Sequence, residues 1–158
     1  MLARQYDEAL VWYNRGLELE PYAGALTRAD IAWTHVLKGA HAEAISEYEK
    51  LPRRPTAAEN QAVAGGLGFL LAVSGRRREA LDIIAQLETL SSNRYIDGCM
   101  IAAIYAGLGD EDHAFEWLAK ACRERSSSMV FLKVNPFFDG IRSDPRFQDL
   151  LQRMNFPS

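Results

Sequence analysis

Apolar positions recur three and four residues apart in blocks along the chain, and glycine, proline or polar residues separate the blocks. The pattern predicts a helix from about Gln5 to Leu19. Helix pairs follow at 24–38 with 41–51, 57–74 with 76–90, and 94–108 with 111–124. Thr56 and Glu59 have the spacing of a capping box for one of these helices. After Met129 the rhythm changes: Asn135-Pro136 and Asp144-Pro145 each place a polar N-cap before a proline at the first helical position, so two short helices are expected. In the last of them Phe147, Leu150, Leu151 and Met154 share one apolar face. The fold class read from this pattern is all-α.

The helices repeat. Tyr6-Asp-Glu-Ala-Leu, His41-Ala-Glu-Ala-Ile, Arg77-Arg-Glu-Ala-Leu and Glu111-Asp-His-Ala-Phe bring Ala9, Ala44, Ala80 and Ala114 into register, at intervals of 35, 36 and 34 residues. Four residues after each alanine stands a large side chain: Tyr13, Tyr48, Ile84 and Leu118. Five before it stand Gly39, Gly75 and Gly109, and seven before each glycine a small residue, Ala32, Gly68 or Ala102. These columns have mechanical reasons. A tight turn between antiparallel helices needs a residue that accepts left-handed backbone angles. Where two helices cross closely, only Ala or Gly lets them approach, which pairs Ala32 with Ala44, Gly68 with Ala80, and Ala102 with Ala114.

A period near 34 residues with these columns resembles the tetratricopeptide repeat. The resemblance implies an α-α superhelix of about three and a half repeats with a C-terminal helical cap, one domain over 1–158. Its parts are a partial repeat at 1–23, contributing only its second helix and closed by Pro21, repeats at 24–55, 56–92 and 93–126, and capping helices at 127–158. The family's tryptophan early in the first helix is replaced by Arg28, Ala64 and Gly98, and its later tyrosine survives as Tyr105. The chain begins mid-repeat, so it reads as a piece of a longer array or as a domain whose leading helix is a cap. The segments Tyr105-Ala-Gly-Leu-Gly-Asp, Ala114-Phe-Glu-Trp-Leu and Ser143-Asp-Pro-Arg-Phe-Gln-Asp-Leu-Leu are similar to the C-terminal end of tetratricopeptide regions in large bacterial signalling and regulatory proteins. None of the catalytic motifs of those proteins is present, so no enzymatic residue carries over.

Composition narrows the partner classes. In 158 residues, 48% are hydrophobic and 25% charged, as in ordinary globular domains, and the net charge of −3 offers no overall field for a phosphate backbone. Nucleic acid is therefore not expected as a partner. Gln61 to Gly75, an uncharged stretch of 15 residues that holds four glycines, is too short to span a bilayer. Charges within Met1 to Leu10 exclude the apolar centre of a signal peptide. The expected location is cytoplasmic, with no membrane insertion. Cys99 and Cys122 fall on different helices and, by register, on opposite sides of the repeat, so free thiols are expected.

In the resemblance, function lies on a concave surface lined by the first helix of each pair. By register the inward positions are Leu26, Ala29, Trp33 and Val36; Ala62, Gly65, Gly66, Phe69 and Val73; and Ile96, Cys99, Met100 and Ala103. The groove is apolar, and the Lys, Arg and Asn set that clamps a chaperone's terminal carboxylate is missing. The expected function is a non-catalytic protein-interaction scaffold. Leu26, Trp33, Val36, Phe69, Val73, Ile96 and Met100 would form the binding groove, with Trp33, Phe69 and Met100 as a ladder for an amphipathic helix of a partner or of the same protein. The competing reading makes these residues core, or covers them with the chain's own C-terminal helices. Self-association as a homodimer is the alternative function, through Leu2, Leu10 or Trp12 on the leading helix. An RNA-binding helical repeat and an all-helical enzyme are further alternatives, the first opposed by the apolar groove and acidic balance. No cofactor is expected. His35, His41 and His113 lack metal-site spacing. Arg76-Arg77-Arg78 and Arg53-Arg54-Pro55 read as solvated turns or as docking patches for an acidic segment.

Overall fold

The computed structural model describes residues 6–19, 24–51 and 58–155, with the backbone alone for 24–26 and 58–60. Among the described residues all regular structure is helical. The order is α1 (Tyr6–Leu19), α2 (Gly24–Leu37), α3 (His41–Glu49), α4 (Ala58–Val73), α5 (Arg77–Ser91), α6 (Gly98–Gly107), α7 (Glu111–Arg123), the 3-10 helices η1 (Ser127–Phe131) and η2 (Pro136–Ile141), and α8 (Pro145–Arg153). No helix among these residues is long and apolar enough to cross a membrane. Pro21, Thr56 of the expected capping box, Arg53-Arg54-Pro55 and Leu2 lie outside the described residues, as does the side chain of Leu26. The chain divides into two compact units, Met1–Glu59 and Asn60–Ser158.

Within the first unit α2 packs against α1 on one side and α3 on the other. Ala32 and Ala44 are both wholly buried, as expected of residues that set the closest approach of a helix pair, and Ile31, Val36, Ile45, Tyr48 and Leu51 fill the space around them. Arg28 of α2 donates to Glu47 of α3 at 3.1 Å, and Lys38 pairs with Asp7 of α1. Burial, with the Asp30 carboxylate nearby, holds the Tyr48 phenol well above its ordinary pKa.

The second unit is built on a core of Leu71, Ala72, Ala80, Ile84, Leu87, Ile101 and Ile104 from α4, α5 and α6, with Ile96 from the segment before α6. Its α6–α7 hairpin closes on Ala102, Ala114, Leu118 and Ala121, all inaccessible to solvent. The tail returns to this hairpin, η2 against α6 and α8 against α7. The N-caps of both tail helices are those read from the sequence: Asn135 Oδ1 accepts from the amide of Phe137 at 3.0 Å, and Asp144 Oδ1 from that of Arg146 at 2.8 Å. Phe147 and Leu150 of α8 are buried, while Leu151 and Met154 on the same face are half-buried. Two features differ from expectation. Helix η1 has no counterpart in the periodicity, and α6 begins at Gly98 instead of residue 94.

The three turn glycines are left-handed, with φ of 73° at Gly39, 78° at Gly75 and 74° at Gly109. Each closes its helix with the same two bonds. The glycine amide reaches the carbonyl three residues back, and the next amide reaches the one five back, as in Ala40 to His35 at 2.9 Å, Arg76 to Leu71 at 2.9 Å and Asp110 to Tyr105 at 3.0 Å. A fourth copy of this closure ends α7, where Ser126 donates to Ala121 at 3.0 Å and the left-handed residue is Arg125, at φ 53°.

Candidate functional site

The apolar face expected on α4 and α6 is mostly closed by direct helix contact. Glycines permit this. A Cβ on Gly65 would stand 2.8 Å from Met100 Cβ, one on Gly68 2.5 Å from Ile104 Cδ1, and one on Gly107 3.0 Å from the Phe69 ring. Gly68 thus serves first the approach of α4 to α6, with Ile83 of α5 at 3.4 Å, and only secondarily the crossing with Ala80 that its register suggests. Phe69 meets the ring of Phe137 from η2, centroids 4.3 Å apart. The chain's own tail therefore covers Phe69. Val73, one turn further along α4, is 40% exposed and open to solvent.

The other groove positions separate into core and surface. Val36, Cys99 and Ala103 are buried, Gly65 and Gly66 likewise, while Ala29, Trp33 and Met100 are half-buried and Ala62 is exposed. Ile96 precedes α6 and belongs to the buried core cluster with Leu71, Ile84 and Leu87, because the helix starts only after Asp97. That start was signalled in the sequence by Asp97 before Gly98, a preferred N-cap residue.

Asp97 organises the mouth of this hairpin. Its carboxylate accepts from the Cys99 amide at 2.9 Å and from the buried Ser126 hydroxyl at 2.7 Å, and its own amide donates to Gln61 Oε1 at 3.3 Å. Gln61 Nε2 donates in turn to the Tyr95 carbonyl at 3.3 Å. The network ties α4, the start of α6 and the end of α7. Burial and the Asp97 charge push the Cys99 thiol far up, so it stays protonated and unreactive, and Cys122 adds to the effect. Both thiols are free, Cys99 buried and Cys122 half-buried. An antiparallel hairpin sets the first turn of α6 beside the last of α7, as the 3.3 Å between a Cβ on Gly98 and Ala121 Cβ also shows.

Polar chemistry collects at the α6–α7 turn, where Arg77, Leu108, Gly109, Asp110, Glu111 and Asp112 line an open depression. Arg77 donates to the Leu108 carbonyl at 3.5 Å. Asp110 caps α7, accepting from the His113 amide at 3.3 Å, and both its oxygens lie 2.9 Å from His113 Nδ1, while the imidazole stacks on Tyr105. The pair holds the Asp110 pKa low and the His113 pKa high. This i,i+3 pairing was legible as Asp-x-x-His at a helix start. Beside it Arg146 of α8 lies over Phe115 and bonds to Asp144 and Asp112 at 2.8 and 2.7 Å. Arg76 pairs with Glu79 in the first turn of α5, which offsets the unfavourable cation there. His41 is exposed, and His35 keeps a buried Nδ1 with no protein partner. No group of three or more metal-ligating side chains occurs among the described residues. No protein-family model, curated protein or solved structure matches the chain.

Proposed function

We propose that the chain is a protein-interaction scaffold of tetratricopeptide type, without catalytic function of its own, that receives an amphipathic helix on the apolar face of its first helices. The proposal includes the superhelical stacking of its helix pairs and membership of a larger bacterial regulator. The observation that carries it is the threefold recurrence of one hairpin: a left-handed glycine at Gly39, Gly75 and Gly109, each followed five residues later by the wholly buried Ala44, Ala80 or Ala114. A turn and a contact that repeat at one period are what a stack of interchangeable helix pairs requires.

The open position on the apolar face of α4 is Val73, 40% exposed, since Phe137 packs on Phe69. Val73→Asp therefore tests the reading better than a change at Phe69, which would also disturb the chain's own packing. Wild type and Val73→Asp are compared by affinity capture with mass spectrometry, after circular dichroism shows equal helicity. A protein retained by wild type and lost by the variant supports the groove. Equal capture by both removes it.

A further inference from the structure

Helix α1 has no buried residue. Its inner side, Tyr6, Ala9, Leu10, Tyr13 and Leu17, is only half-buried, and the opposite side carries Val11 at 65%, Trp12 at 61% and Leu19 at 76% exposure. A helix of 14 residues is marginal in water without packing on an apolar face, and here three large apolar groups, Val11, Trp12 and Leu19, are left exposed. Their setting is charged in an ordered way. Glu8, one turn before Trp12, and Arg15, one turn after Val11, lie on the same exposed stripe, with the Arg15 guanidinium 5.9 Å from the Trp12 ring.

We infer that this stripe pairs with its counterpart on a second copy of the chain, the two α1 helices running antiparallel about a two-fold axis between Val11 and Trp12. Such an axis sets Val11 of each copy against Trp12 of the other and Glu8 against Arg15, twice, so the stripe is complementary to itself. Parallel pairing would instead set Glu8 against Glu8 and Arg15 against Arg15. Antiparallel helices also bring opposite dipole ends together. Gly16, one turn from Trp12, has open space where a Cβ would stand, which leaves a notch beside the indole. The dimer is independent of the groove reading, because it uses the other side of a different helix.

The test is sedimentation velocity on the full chain across a concentration series at low salt, with helicity checked by circular dichroism. Glu8→Arg and Arg15→Glu are each expected to weaken dimerisation at least tenfold, since each puts like charges opposite, and Trp12→Ala to abolish it. An equimolar mixture of the two charge variants is expected to restore association, because each then offers the other the missing sign. Val73→Asp is expected to leave the dimer intact. A wild-type chain that stays monomeric throughout overturns the inference, as does a dimer indifferent to both charge changes or a mixture that fails to recover.

Discussion

The rings of Phe69 and Phe137 face each other at a centroid distance of 4.3 Å with an interplanar angle of 34°. One belongs to α4 and the other to η2, the six-residue 3-10 helix that Pro136 opens, so this contact fastens the tail to the body of the second unit. Phe137→Ala removes a buried ring and is expected to cost about 3 kcal/mol. Urea denaturation should show a lower midpoint with little change in slope.

Glycine to alanine should act with opposite signs at two places. Gly16 lies inside α1 with nothing near a Cβ, so Gly16→Ala is expected to stabilise the first unit by about 0.5–1 kcal/mol through helix propensity. At Gly68 the added carbon would stand 2.5 Å from Cδ1 and 2.8 Å from Cγ1 of Ile104, which is itself inaccessible to solvent. Gly68→Ala is expected to cost about 1–3 kcal/mol. Thermal melts of the two variants against wild type distinguish the signs directly.

Arg125 occupies the left-handed position that glycine fills at the other three closures. Its Cβ is strained there by about 1 kcal/mol. Arg125→Gly is expected to raise stability by an amount of that order, offset in part by the greater freedom of glycine in the unfolded chain, and calorimetry measures it.

The Asp110–His113 pair sets a pH dependence. The His113 pKa is raised in the folded chain, so its contribution is complete below the ordinary histidine value of about 6.5 and is lost as pH rises through the folded value. The Asp110 pKa is lowered, so its contribution is complete above the ordinary carboxylate range and is lost as pH falls through the folded value. The start of α7 is therefore best held at mildly acidic pH, between the two. His113→Gln is expected to flatten the loss of stability as pH rises above about 6.5, measured by melts in matched buffers at constant ionic strength.

Local features were readable from the residues. Helix positions, the left-handed glycines, the Asn135 and Asp144 caps and the buried side of α8 all depend on neighbours within a few positions, and spacing reports such neighbours. The apolar face of α4 shows where that ends. A half-buried phenylalanine and an exposed valine one turn apart carry the same periodicity, and only the return of Phe137 separates them. Ile96 has the spacing of α6, yet the helix starts only after the capping Asp97, and Ile96 lies in the core before it. Arg125 carries no local mark of its backbone angle, because the closure of α7 sets it.

The tail contact has a consequence for the order of assembly. Neighbouring helices such as α2 and α3, or α6 and α7, meet across turns of a few residues, and such loops close at small entropic cost. The Phe69–Phe137 contact joins positions almost half the chain apart, and it gains little until α4 and α6 have already met through Gly65 and Gly68. Docking of η2 is thus expected late in folding and early among the losses in unfolding, which would bare Phe69 before the rest of the apolar surface when the second unit loosens.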